Sequence, residues 1–472
     1  MNANPEFDLI VIGGGSAAFA AAIKATELGA EVAVCEKGVI GGTCLNRGCI
    51  PSKNLLRAAE ILHYSHNQPF DGIEIPQGKV DLARVIHQKD ELVRELRQEK
   101  YLNILSDNKK IHYFEGEATF LPDNEVRVGG DILKGRRFII ATGARPQAVP
   151  FNGIERVDFL NSTTALDLKE LPSSMIILGG RFVAVEMAQI FGRFGTKVTL
   201  LQRSPRIIPD EEEEISEALK KYLKEEGIDV LTDARVLKID QSGEEKTVRA
   251  EVDGDARVFK ARSLLMATGN TPNTEGLALD AAGVEADERG FVKTDGFMRT
   301  SNPRIFAAGD VTGGIQLVTV AAVEGGVAAM NALADDECCF EGVDYAAVPH
   351  AIFTDPNVAS AGLTEGQARE KGFEVSSRTL DMAHVPKARA IRDARGLIKM
   401  VADKETERIL GVHILAPEAA EVIHQAVLLI KNGMTLKDAV RKIDVYPTLS
   451  EMVKLCAQSF YKDVSQLSCC AE

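Results

Sequence analysis

The 472-residue chain carries 69 acidic and 55 basic side chains, a net charge of -14, with 45% hydrophobic residues. Its length exceeds one ordinary domain, and the acidic surplus argues against nucleic acid or an anionic membrane as the main partner. No run of about 18 apolar residues suits a bilayer, and the N-terminus enters a strand without a signal-peptide pattern, so a cytoplasmic chain is expected.

Phe7 to Ile12 predicts a first strand, followed by a glycine turn, a helix and a second strand closing at Glu36. Gly13, Gly15 and Ala18 fill the G-x-G-x-x-G/A positions of a dinucleotide-binding unit. The first serves the tight turn, the second lets backbone approach a pyrophosphate, and the third allows close helix–strand packing. Glu36 stands where a carboxylate binds ribose hydroxyls. Next comes "GGTCLNRGCIPSK", with four residues between Cys44 and Cys49. If a helix begins across this pair, the thiols lie near enough for a disulfide. The helix N-terminus, aided by Arg47, would lower a thiolate pKa.

"FIIATGARP" and "LLMATGNTPN" each predict a strand running into a glycine turn, and between them lies a second nucleotide unit. Gly179 and Ala184 occupy its first and third motif positions, but Arg181 replaces the second glycine. A side chain there either obstructs a pyrophosphate or brings a guanidinium to it. Gln202 replaces the ribose-binding acid, and Arg203 or Arg206 suits a 2'-phosphate, favouring NADPH over NADH; the alternative is that both arginines solvate a surface turn. "DEEEEISEALKKYLKEEG" reads as an exposed helix whose charges follow its dipole, with no site on it. "RIFAAGDVTGG" puts Asp310 at a strand end, as a partner for a flavin ribityl hydroxyl or as a helix N-cap. Two dinucleotide units in one chain imply an electron relay between two cofactors. From about Val343 no glycine-rich loop recurs, and the apolar periodicity of Ala426 to Val440 predicts a packing or association domain.

Eight cysteines are too few for a disulfide scaffold. Cys35 and Cys456 read as small buried residues, whereas Cys338-Cys339 and Cys469-Cys470 are vicinal pairs, the latter two residues from the end. Vicinal thiols in a reducing compartment suggest redox or metal chemistry. The surface pair Cys338-Cys339 has no assigned role.

Taken in order, the G-x-G-x-x-A unit with Glu36, "GGTCLNRGCIPSK", both ATG segments and "FAAGD" resemble the FAD-dependent pyridine nucleotide–disulfide oxidoreductases over essentially the whole chain. The resemblance implies an α/β architecture of two Rossmann-like dinucleotide-binding domains and a C-terminal α+β dimerisation domain. The expected divisions are an FAD domain (1–147), an NAD(P) domain (148–275), a central FAD-contacting segment (276–342) and a dimerisation domain (343–472). By the same resemblance Cys49 faces the flavin, Cys44 exchanges with substrate, and Lys53 lies near the flavin and pairs with Glu186. Gly13, Gly15, Ala18, Glu36, Gly42, Thr43, Lys53, Ala118, Thr142, Gly143, Asp310, Gln316 and Val318 are implied flavin-binding positions. Gly179, Arg181, Phe182, Ala184, Arg203 and Gly269 are implied nicotinamide-nucleotide positions, Phe182 acting as an aromatic gate.

Disulfide-reducing members carry His-Pro-Thr-x-x-Glu near the C-terminus, the His handling the proton of thiol–disulfide exchange. Here Pro447, Thr448 and Glu451 are present, but the His position is Tyr446. A phenol of pKa about 10 is a poor proton shuttle at neutral pH. No nearby His replaces it, since His413 and His424 read as packing or surface residues. Tyr446, the Ser-Cys-Cys tail and Tyr101, which matches an active-site tyrosine, resemble the branch of the family that reduces thiolate-bound Hg(II). That implies a metal path from Cys469 and Cys470 to Cys44 and Cys49, with NADPH as reductant. It also implies a homodimer whose active sites combine the tail of one subunit with the Cys44/Cys49 pair of the other. The chain begins at the first nucleotide strand, so no metal-binding domain is expected before it. The rival expectations are a large-type thioredoxin reductase, in which a Cys-Cys tail relays to a protein disulfide, and a non-catalytic flavoprotein, disfavoured by intact Cys44, Cys49, Lys53 and Glu186.

Overall fold

The computed structural model describes residues 6–466. The chain divides into two compact units. The first comprises residues up to Asn54, Ile86–Gln147 and Gly269–Asp344; the second comprises Leu55–Val85, Ala148–Thr268 and the chain from Tyr345 onward.

In the first unit, strand β1 (Glu6–Ile12), helix α1 (Ser16–Glu27) and strand β2 (Val32–Glu36) form the glycine-turn unit, with β1 and β2 parallel, Leu9 opposite Val32. Leu9, Ile10 and Val11 are all fully buried, the unbroken apolar run of a strand covered on both faces. Strand 131–140 lies parallel on the other side of β1, Ile10 opposite Phe138, and Ile305–Ala307 runs parallel beyond it. The short strands Ala118–Leu121 and Glu125–Val128 extend the sheet antiparallel. Helix α1 is alanine-rich and buries Ala17, Ala18, Ala21, Ala22 and Ala25. Its small side chains let it pack closely in one apolar cluster with Ala328, Ala329 and Ala332 of the helix Val318–Leu333.

The second unit holds a five-stranded parallel sheet built on Ser174–Leu178 and Lys197–Leu201, and a three-stranded antiparallel sheet. It also holds a five-stranded antiparallel sheet of C-terminal strands, with the helices Ala419–Lys431 and Glu451–Gln458 in its core cluster. Two parallel-sheet nucleotide folds and an α+β C-terminal domain are therefore present, as the sequence predicts. Cys35 and Cys456 are buried. His413 is buried too, hydrogen-bonded to Ser360 Oγ (3.0 Å) and the Leu363 carbonyl (3.1 Å), which makes it a packing residue.

The acidic run departs from expectation. Glu211 and Glu212 are 6% and 8% exposed, and the helix Glu213–Glu225 turns Ile215, Leu219 and Leu223 inward. Glu211 accepts from Ser360 Oγ (2.6 Å) and meets His350 Nε2 (2.5 Å). Lys399 Nζ lies 3.0 Å from Glu212 and 2.9 Å from Glu214. Four-residue spacing of the apolar positions gives the helix one buried face, and distant cations neutralise the carboxylates at its start. No helix among the described residues is long and apolar enough to cross a membrane.

Candidate active site

The glycine turn is dictated by crowding. Gly13 has φ +125°, and a Cβ on it would stand 2.2 Å from the Ala141 carbonyl oxygen, so the turn tolerates no side chain. On its other side the turn meets the cysteine segment backbone to backbone. A Cβ on Gly42 (φ +66°) would sit 2.6 Å from Gly15 Cα, and Gly41 N donates to the Gly14 carbonyl at 2.8 Å. Asn46 holds this segment. Its amide nitrogen donates to the carbonyls of Ile40 (3.0 Å) and Gly42 (2.9 Å), while its oxygen accepts from Arg97 Nε (2.9 Å) and Nη2 (2.7 Å). Sequence reading missed Asn46, because its partner approaches only through the tertiary fold.

Cys44 and Cys49 do not share one helix start. Cys44 lies within the short helix α2 (Gly42–Arg47), Gly48 breaks the run, and Cys49 is the first residue of the 19-residue helix α3 (Cys49–Asn67). Both are partly buried and neither is in a disulfide. The expected lowering of pKa does not hold at Cys44. Its hydrogen bond to Cys49 and its burial raise its pKa, and Lys53, not the exposed Arg47, supplies the opposing charge. Cys44 therefore stays a thiol, and Cys49 stands at the N-terminal end of α3, where the helix dipole favours negative charge. Lys53 follows one turn on, its Nζ 3.3 Å from Ser52 Oγ.

Tyr101 lies on a π-helical turn, Gln98–Leu102, its ring edge-on to Phe19 at 4.6 Å. Burial raises its pKa, a hydrogen bond with Ser16 opposes this, and the charges of Cys44 and Cys49 add to the rise. The phenol therefore stays protonated beside the cysteine pair, and Ser16 is a second residue that sequence reading missed.

Around the same turn lies a set of polar groups, not all of them with partners among the described residues. Thr142 Oγ1 is buried with no hydrogen-bond partner among the described residues. Asp310 opens a 3-10 turn, and burial followed by the nearby Glu324 charge pushes its carboxyl up to about 6. Glu324 itself accepts from Gly309 N at 2.7 Å. Glu36 ends β2 and accepts from Gly38 N at 2.7 Å. Gln316 accepts from Asn270 Nδ2 at 2.9 Å, Val318 begins its helix, Thr43 is exposed, and Gly143 follows Thr142 with φ +67°. Ala18 is fully buried, and Ala118 is 5% exposed with its side chain in the core, which leaves only its backbone for a ligand. The Gly269 carbonyl accepts from Gln147 N at 2.9 Å.

In the second unit Gly179 repeats the geometry of Gly13, with φ +120° and a phantom Cβ 2.3 Å from the Ala267 oxygen. Arg181 precedes the helix Phe182–Phe194, and its exposed guanidinium forms an ion pair with Asp210. Phe182 is 47% exposed, whereas Ala184 is buried. Glu186, 3% exposed, accepts from Phe353 N at 2.9 Å. Gln202 is turned back on its own loop, donating to Ser204 Oγ at 2.5 Å and the Arg206 carbonyl at 3.3 Å. Arg203 is exposed, its guanidinium without a partner among the described residues. Tyr446 is 46% exposed, and two residues on Thr448 N donates to Glu451 Oε2 at 3.1 Å. Cys469 and Cys470 lie outside the described residues.

Residues 7–325 match the pyridine nucleotide-disulphide oxidoreductase family model, and residues 348–457 match the dimerisation domain of the same family. A mercuric reductase of Lysinibacillus sphaericus is 45% identical over 99% of this chain and 85% of its own length. One from Streptomyces lividans is 42% identical over the whole of both chains. Among solved structures, the HOCl-induced flavoprotein disulfide reductase RclA from Escherichia coli superposes with a TM-score of 0.86 at 31% identity, over 96% of this chain and all of that one.

Proposed function

Since this chain belongs to the pyridine nucleotide-disulphide oxidoreductase family, we propose that it is a cytoplasmic, homodimeric mercury(II) reductase that uses NADPH to reduce thiolate-bound Hg(II) to Hg(0). The observation that carries this reading is end-to-end identity of 42–45% with mercuric reductases, joined to Tyr446 at the position where disulfide reductases hold a histidine.

The residues fit FAD. The side-chain-free contact of Gly15 with Gly42, the orphaned Thr142 hydroxyl and the unpartnered Asp310 carboxyl form a cradle with donors and acceptors to spare. FAD, when bound, supplies two-electron transfer between NADPH and the cysteine site. Glu36 suits its ribose, Thr142 its polar edge, and Asp310 its ribityl hydroxyls. Gln202 presents no carboxylate to a 2'-phosphate, and Arg203 offers it a free cation.

Cys44 and Cys49 take Hg(II) from its small thiols by ligand exchange, the proton on Cys44 leaving with the displaced thiolate. Cys49 stands at the head of α3, whose dipole favours a thiolate there, and the Lys53 charge favours the thiolate that Cys44 becomes on binding the ion. The Tyr101 phenol donates toward the thiolates. Cys469 and Cys470 collect the ion and, with Tyr446, face the Cys44/Cys49 pair of the partner subunit. The exposed Leu428, Ile443 and Val445 of the dimerisation domain support association of two chains.

The test is NADPH oxidation with Hg(II) in excess small thiol, compared with glutathione disulfide and with thioredoxin. Turnover with Hg(II) alone is expected. Turnover only with a disulfide overturns the reading in favour of the disulfide reductase that the likeness to RclA suggests.

A further inference from the structure

Cys338 and Cys339 are exposed in the 3-10 turn Glu337–Cys339, their Sγ atoms 3.8 Å apart. The turn is anchored from four sides. Asp336 caps it by accepting from Cys338 N at 3.1 Å, and Glu337 pairs with Arg299 Nη1 at 2.6 Å. The Phe340 ring packs on Phe297 (5.9 Å) and on the core residue Phe306 (6.1 Å), and Asn331 bonds both the amide and the carbonyl of Glu341. Two thiols on a turn held this firmly are pre-organised.

We propose that Cys338 and Cys339 form a thiolate chelate, additional to Cys44 and Cys49, that binds a soft two-coordinate cation, Hg(II). Two metal–sulfur bonds of about 2.3 Å each span at most ~4.6 Å, so sulfurs 3.8 Å apart reach one ion, with side-chain rotation opening the angle. Ions that require three or four ligands find no support, since no group of three or more His, Cys, Asp or Glu suited to a metal occurs among the described residues. Closure to an internal disulfide is disfavoured, because adjacent Cα atoms are about 3.8 Å apart and disulfides need about 4.4 Å or more. The dithiol is thereby kept for metal.

Binding is ligand exchange without change of oxidation state. A complex RS–Hg–SR loses both ligands; two Hg–S bonds break, two form, and the protons of Cys338 and Cys339 leave on two molecules of RSH. After the first exchange the second protein sulfur is already adjacent, at an effective concentration of millimolar or above, so the chelate outcompetes monothiols. The site extends beyond the proposed reduction and does not depend on it.

The experiment uses the full-length holoenzyme carrying Cys44→Ala, Cys49→Ala, Cys469→Ala and Cys470→Ala. It is loaded with mercuric chloride in excess cysteine, desalted, and assayed for mercury by atomic absorption. One Hg(II) per chain is expected, falling at least tenfold when either Cys338→Ala or Cys339→Ala is added. In the otherwise unaltered enzyme, Cys338→Ala/Cys339→Ala together lower the stoichiometry by one. No mercury on the four-fold variant, or full retention by either single addition, overturns the chelate. Hg(II)-dependent NADPH oxidation by the unaltered enzyme reads the proposed function separately, whichever result is found.

Discussion

Asp310 carries a burial cost that a bound ligand can relieve. Its carboxyl lacks a hydrogen-bond donor among the described residues, and burial with the Glu324 charge raises its pKa from 3.8 to about 6. At about 1.4 kcal/mol per pKa unit, that shift corresponds to roughly 3 kcal/mol of destabilisation of the ligand-free protein at neutral pH. The sign is the reverse of the usual carboxylate. The cost is absent below the unfolded pKa, grows as pH rises toward the folded value, and is complete above it. Asp310→Asn keeps the shape and removes the charge. The flavin-free variant is therefore expected to match the parent near pH 4 and to exceed it in stability by up to ~3 kcal/mol at pH 8. The same substitution loosens flavin, because the amide is a weaker acceptor for ribityl hydroxyls. Urea unfolding midpoints of both flavin-free proteins across this pH range, with flavin retention on gel filtration, measure the two effects. A difference independent of pH, or a variant less stable at pH 8, refutes the reasoning.

Arg203→Ala/Arg206→Ala removes the cations available to a 2'-phosphate; KM for NADPH is expected to rise about 10- to 100-fold, from about 1.5–3 kcal/mol per charged hydrogen bond, with KM for NADH little changed. Equal effects on both nucleotides would assign these arginines to the surface. The Arg193 side chain is 3% exposed and joins Glu226 (2.6 Å) to Asp355 (2.8 Å); Arg395 stays 2.8 Å from Asp355, so Arg193→Met should cost about 1.5–3 kcal/mol by removing one of two cations from these carboxylates, read as a lowered thermal midpoint. At the Glu211–His350 pair, burial opposes each charge but the mutual hydrogen bond prevails, lowering the Glu211 pKa and raising that of His350. The Glu211 share is lost as pH falls through its folded pKa, and the His350 share is lost as pH rises through its own. His350→Gln should therefore cost most between about pH 4.3 and pH 6.5; a cost that is flat with pH in thermal melts would contradict the pairing.

Both glycine turns were legible because Gly13 and Gly179 answer the same demand, a backbone passing about 2 Å from where a Cβ would stand. The cysteine pair was legible from its chemistry, but its geometry was not. Gly48 splits the segment into two helices, and the hydrogen bond to Cys49 together with burial, not a helix end, sets the direction of the Cys44 shift. The acidic run misled because its charge count masks the inward spacing of Ile215, Leu219 and Leu223. Its partners Lys399, Ser360 and His350 arrive from more than a hundred residues away in sequence. Asn46 and Ser16 carried no signal of their own, since each acts through a neighbour that only the fold supplies.

The raised pKa of Cys44 and the loss of a histidine at Tyr446 have one common explanation under the proposed chemistry. A thiol attacking a disulfide must first lose its proton, so a disulfide reductase with a protonated Cys44 and no base would be slow. Exchange at a thiolate-bound metal makes no such demand. The proton of Cys44 passes to the thiolate that leaves the metal, and the metal–sulfur bond forms as the S–H bond breaks. A protonated Cys44 beside a protonated Tyr101 is then suited to the task, and restoring a base at position 446 should help disulfides while leaving Hg(II) turnover little altered. Tyr446→His tests this: a large gain with Hg(II) but none with glutathione disulfide would show that proton removal, not ligand exchange, limits this enzyme.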